Sequence, residues 1–221
     1  MSDHAEIVDT LEGRPAVPVG PGQAARLPEQ WHPIAASAEW RVRQEIALGL
    51  WNDGFLDLVP GFATELAERL VDIRPYLIDD EPALVYVARS EPYGLVSWVG
   101  YDPRATAPLP EVVPAVLRDF LHGVHAGFVS GIDAGFGPSR PAALGTLAEL
   151  AGFPDGIPGW DDDMEIPSNR LWCFATDGGQ ARYCLSPDLP PGEVALVYQG
   201  DIEPMDLGRA LDDLMTSRLT Y

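Results

Sequence analysis

The run from Asn169 to Tyr198, NRLWCFATDGGQARYCLSPDLPPGEVALVY, constrains this chain more than any other stretch. Two short apolar-aromatic segments flank Gly178-Gly179, and a Pro-rich loop leads to a third segment. Glycine enters positive φ at no steric cost, so a Gly-Gly pair between two β-rich runs predicts a hairpin with a two-residue loop. That loop sets Asp177 opposite Gln180, Phe174 opposite Tyr183, Cys173 opposite Cys184 and Trp172 opposite Leu185. Strand alternation then gathers Trp172, Phe174, Tyr183 and Leu185 on one apolar face.

The remaining pattern adds helices on either side of further strands. Residues 1–33 are rich in Pro, Gly and Ala with little periodicity, and read as a flexible N-terminal arm. Residues 34–221 read as a single α+β domain. Ser37 is the expected N-cap of a first helix carrying Trp40, Ile46, Leu50 and Trp51. Phe62, Leu66, Leu70 and Ile73 predict a second helix running to Pro75. Ala83–Ala88 and Gly94–Tyr101 read as a β-hairpin. A third helix follows Pro114, with Val116, Leu117, Phe120, Leu121 and Val124 on one face. Residues 128–141 read as loop, Pro141–Leu150 as a short helix, Val194–Tyr198 as a strand and Asp206–Leu219 as a closing amphipathic helix. The fold class is α+β, with a mostly antiparallel central sheet and helices packed on it.

Charge narrows the function classes. The chain has 34 acidic against 14 basic residues, a formal −20, and every basic residue is Arg. Without Lys there is no P-loop lysine, Schiff-base lysine or kinase-type phosphate lysine. A charge of −20 repels nucleic acid and anionic membrane and steers basic partners inward. No apolar run approaches the roughly 20 residues that span a bilayer. The N-terminal MSDHAEIVDTLEG has no basic region before an apolar core, so the expected location is the cytoplasm, with Cys173 and Cys184 as facing thiols.

Chemistry-bearing motifs are sparse. His122 and His125 stand three apart on a predicted helix, but a metal site needs three or four ligands. Structural histidines near a helix end are the better reading, and neither metal nor cofactor is expected. Asp161-Asp162-Asp163-Met164-Glu165 lacks the alternating acidic loop and distal Glu of an EF-hand. It reads as a solvated acidic loop or a patch for a basic partner. Trp160, beside that loop, is either an interface anchor or a plug over the core edge. With Asp177 at the hairpin tip, these residues form the expected partner surface: Trp160, Asp161, Asp162, Asp163, Glu165 and Asp177.

Three segments of the C-terminal half carry a family likeness: LRDFLHGVHAGF (117–128), LWCFATDGGQARYCLSPD (171–188) and EVALVYQGDIEPM (193–205) followed by LGRALDDLM. Over residues 110–219 the chain resembles the SUKH superfamily, which takes in fungal cell-wall-synthesis regulators and many bacterial toxin-immunity proteins. The hairpin at 83–101 departs from that pattern. The resemblance implies a SUKH-like fold and a non-catalytic domain that neutralises a cognate toxin by binding it. The negative charge suits a toxin with a basic surface, such as a nuclease. A regulator of the same fold, and a metal-dependent enzyme using His122, His125 and nearby carboxylates, are the alternatives.

Overall fold

The computed structural model describes residues 4–105, 107–160 and 164–220. The chain opens with α1 (His4–Asp9), β1 (Ala16–Pro18), α2 (His32–Ala36), α3 (Trp40–Leu48), α4 (Asp53–Leu58) and α5 (Pro60–Arg69). The strands β2 (Leu70–Ile78), β3 (Glu81–Ser90) and β4 (Gly94–Tyr101) follow, then α6 (Ala115–Gly123) and β5 (Phe128–Ser130). The last part holds β6 (Gly145–Thr146), α7 (Leu147–Leu150), β7 (Trp172–Thr176), β8 (Arg182–Leu185), β9 (Glu193–Tyr198), β10 (Asp201–Asp206) and α8 (Leu207–Thr220).

The fold is α+β and its strand pairs are antiparallel, but the strands form two sheets rather than one central sheet. The first has the order β1-β2-β3-β4-β5 and the second β10-β9-β8-β7-β6. The main core lies between the inner faces of the sheets and the helices, built on Trp51, Phe55, Phe62, Tyr86, Trp98, Phe120 and Phe128. Their rings meet edge-on or stacked, with Trp51 touching Phe55, Phe62, Tyr86, Phe120 and Phe128. Such contacts add to the large apolar area each ring buries. A second cluster covers the outer face of the first sheet, and a third covers the outer face of the second.

The segment expected as a flexible arm is packed. Ile7 and Leu11 are buried against the outer face of the first sheet, β1 pairs with β2, and Leu27 and Trp31 enter the main core. Its apolar residues are widely spaced, which hid them from a periodicity reading.

The helix expected to reach Pro75 ends at Arg69, and Leu70–Ile78 forms β2. The i, i+4 spacing of Leu66 and Leu70 is real, but Leu70 and Ile73 reach the core from a strand that bulges between Leu70 and Asp72. Asp79 and Asp80 both take positive φ and form the two-residue loop to β3, a geometry that short polar side chains tolerate. Pro75 sits in β2 beyond the end of β1, where its missing N–H leaves no ladder bond unmade.

In the β7–β8 hairpin, Trp172 faces Leu185 and Cys173 faces Cys184, as expected. The loop is longer than two residues, because Thr176 pairs with Arg182 and the register shifts between Cys173 and Ala175. The bulge leaves Phe174 without the expected partner while Ala175 takes Tyr183. Within 128–141 the structure forms β5, and the expected helix at 141–150 shrinks to α7 behind a Thr146–Glu149 capping box. The acidic link after β9 is itself a strand. Gln199 and Gly200, both at positive φ, turn β9 into β10.

Candidate functional site

The segment after α7 folds over the outer face of the second sheet. Its backbone closes on itself, with Ile157 N–H donating to Ser168 Oγ (2.9 Å) and Met164 N–H to the Trp160 carbonyl (3.1 Å). Trp160 is half-buried: its ring joins the cluster of Ile166, Leu171, Cys184 and Val197, and its Nε1–H donates to the Ile166 carbonyl at 3.1 Å. The indole thus packs over the outer face of the second sheet and positions its own loop. Asp161, Asp162 and Asp163 lie outside the described residues.

Between this segment and β10 lies a groove of about 490 Å³. Its floor is apolar, from Ile166, Leu189, Ile202 and Pro204, and carboxylates of Glu165, Asp188 and Glu193 line it. The size falls within the range of small-ligand and side-chain clefts. Asp188 is held by Arg170 in a two-pronged ion pair, Nη2 to Oδ1 at 2.6 Å and Nε to Oδ2, and Arg170 keeps its carboxyl below the usual carboxylate range. Glu165 and Glu193 carry no ion pair among the described residues. The groove therefore presents two uncompensated carboxylates above an apolar floor, and its wall is the edge strand of the sheet. Pro204, which has no N–H, makes that edge a poor template for another strand.

Asp177 belongs elsewhere. Its Oδ1 accepts from Gly179 N–H (2.8 Å) and Ala181 N–H (3.1 Å), so the carboxylate shapes the β7–β8 turn rather than standing free at its tip. The structure brings Trp160 and Glu165 to one loop and leaves Asp177 out of the groove. The groove residues that sequence reasoning missed, Asp188, Glu193, Ile202 and Pro204, needed recognition of β10. Its turn lacks the Asn-Gly or Gly-Gly signature, and its residues DIEPMD are polar with a proline inside.

Acidity continues past β10. Asp57, Asp206, Asp212 and Asp213 line a shallow cleft at the start of α8 with Arg209 the cation among its lining residues. Asp213 pairs with Arg209 (Nε to Oδ2, 3.6 Å), and two of the other carboxylates accept from backbone amides. Asp212 accepts from the α5 amides of Gly61 (3.1 Å) and Phe62 (2.6 Å), and Asp206 from Arg209 N–H (2.9 Å), so each satisfies amides at a helix start.

The two histidines do not converge. His122 is exposed on α6, while His125 is fully buried beyond its end, with Nε2 2.8 Å from Tyr86 Oη. Burial pushes the imidazole down to about 3 and the Tyr86 phenol up. A Cβ on Gly100 would lie 2.5 Å from the His125 ring, so glycine is what lets β4 pass it. Among the described residues no group of three or more His, Cys, Asp or Glu is arranged to hold a metal, and no helix is long and apolar enough to cross a membrane. No family profile, curated protein or solved structure matches the chain.

Proposed function

We propose that the chain is a non-catalytic, cytoplasmic protein-binding domain of the SUKH type, an immunity protein that neutralises a toxin domain with a basic surface. The observation that carries the reading is the groove beside β10, where unpaired Glu165 and Glu193 overhang Ile166, Leu189, Ile202 and Pro204. Interface anchors are apolar contacts desolvated inside a polar rim. An acidic rim on a chain of net charge −20 selects a basic partner and accelerates its approach. The resemblance of residues 110–219 to immunity proteins points the same way.

The test is affinity capture from the native cell extract at moderate salt, followed by assay of the captured domain. A large partner ending in a compact basic domain, inhibited in proportion to added protein and released by salt, supports the reading. A housekeeping partner whose activity is not inhibited favours a regulator of the same fold. Affinity that is equal at low and high salt removes the electrostatic argument.

A further inference from the structure

On the opposite face of the same edge, the second sheet carries two phenols and two carboxylates around one cavity. Tyr183 on β8 pairs with Leu196 on β9, which pairs with Glu203 on β10; in the next row Tyr198 pairs with Asp201. Alternation puts all five side chains on one face. They line a cavity of about 310 Å³ together with Ala181 and Ile202. Tyr198 is 48% exposed although it is a large aromatic on a sheet, and Gln199 Nε2–H donates to its hydroxyl at 3.1 Å. Tyr183 and Tyr198 are diagonal neighbours, a relation that spaces residues about 7–8 Å apart. A planar group in contact with both rings needs about 3.5–4 Å on each side.

The local field is negative. No lining residue is a cation. Burial, then the charges of Asp177 and Asp213, push the Tyr183 phenol up. Aromatic faces flanked by carboxylates attract cations, and a guanidinium adds stacking and a donor fork that an ammonium lacks.

We propose that this cavity receives an arginine side chain from a basic partner, its guanidinium stacked between Tyr183 and Tyr198 and its N–H edge on Asp201 and Glu203. The proposal rests on the reading of the chain as a binder of a basic protein and names the anchor that protein would present. Ile202 lines both this cavity and the groove on the other face, so one partner straddling the β10 edge would meet both.

The test uses the full chain and the probe Nα-acetyl-argininamide, with its lysine and citrulline counterparts. Binding is read from the ring-proton resonances of Tyr183 and Tyr198. Expected is a saturable shift with the arginine probe, weaker with lysine and absent with citrulline, which has the same shape without the charge. Tyr198→Ala, at an exposed edge position, should weaken the arginine probe about tenfold, one cation–π contact's worth, and Glu203→Gln should weaken it several-fold. Equal shifts with arginine and citrulline, no saturation with arginine, or an unchanged affinity in Tyr198→Ala each overturn the proposal. If the probe fails while the chain still captures and inhibits a basic toxin, the cavity is wrong and the function stands. If the probe binds as expected and no such partner exists, the reverse holds.

Discussion

Replacing Arg43 by Met tests how the first sheet is closed at its edge. Arg43 sits on α3 and is only 5% exposed, and Asp72 on β2 is 0% exposed. The guanidinium donates from Nε to the Ile73 carbonyl (2.7 Å), from Nη1 to the Ser37 and Ala38 carbonyls (3.0 Å each) and from Nη2 to Asp72 Oδ1. Because β1 reaches only Tyr76 to Ile78, the outward carbonyl of Ile73 has no strand partner, and Arg43 stands in for one. Met keeps the apolar stem and removes every donor. Asp72 retains Arg74 Nε at 2.7 Å and the Ile73 amide at 2.9 Å, so its charge is not stranded, while three carbonyls lose their donor. Breaking a buried pair typically costs 3–5 kcal/mol, and the surviving Arg74 contact argues for the lower part of that range, about 3 kcal/mol. For a domain of this size that is a fall in Tm of ~6–12 °C. Thermal and urea unfolding of the purified variant measures it. In the Arg43→Met, Asp72→Leu double variant, the two losses should combine to less than their sum by at least ~1.5 kcal/mol. A single-variant loss below ~1 kcal/mol refutes the argument that Arg43 substitutes for a missing strand, and strict additivity in the cycle refutes its coupling to Asp72.

Two further outcomes follow from buried groups. His125 titrates near 3 in the folded chain against 6.5 in the unfolded one, so the unfolded state binds the extra proton between those values and stability falls as pH drops from about 6.5 toward 3; urea midpoints across that window should show the slope, and His125→Gln should flatten it. Cys173 and Cys184 are buried, reduced and directly opposed, with Sγ atoms 3.0 Å apart, so exchange with a low-molecular-weight disulfide should remove both thiols from alkylation together and stabilise the chain by up to ~3 kcal/mol, whereas loss of only one thiol would refute the facing geometry.

Local signals with a single physical cause were legible. The Gly178 turn, the β3–β4 hairpin, the apolar stripe of α6 and the Leu207–Leu219 stripe of α8 stand in the structure because each rests on a period or a φ constraint that no tertiary contact overrides. The Leu66–Ile73 stripe misled because a strand entering the same core at an angle reproduces a helical spacing over a few residues. Nothing local distinguished Asp79-Asp80 as a turn from two solvated acids. The packed N-terminal segment was hidden for a different reason: Ile7, Leu11, Leu27 and Trp31 serve two different cores, so their spacing follows no one face.

The sign of the proposed site could be expected from the sequence, but its place could not. Composition pointed to a basic partner, and exposure plus charge chose Trp160, Asp161, Asp162, Asp163, Glu165 and Asp177, yet of the three that are described two have internal tasks, Trp160 closing a loop and Asp177 shaping a turn. Carboxylates in a chain with 34 of them are recruited to cap helices and pair with arginine, as Asp212 and Asp188 show, so charge alone ranks no individual residue. What separates a docking carboxylate from a structural one is the absence of an internal donor together with apolar surface beside it. That conjunction appears only when β10 folds back on β9 and sets Ile202 and Pro204 next to Glu193 and Glu165. The same strand, by its alternation, turns Asp201 and Glu203 toward Tyr183 and Tyr198 on the other face. The strand DIEPMD, rich in carboxylates, is therefore also the one on which the proposed binding surfaces depend. Charge-neutral replacements on β10, Glu203→Gln foremost, should reduce affinity for a basic partner more than equal replacements at Asp212 or Asp188, whose loss should instead appear as lowered stability.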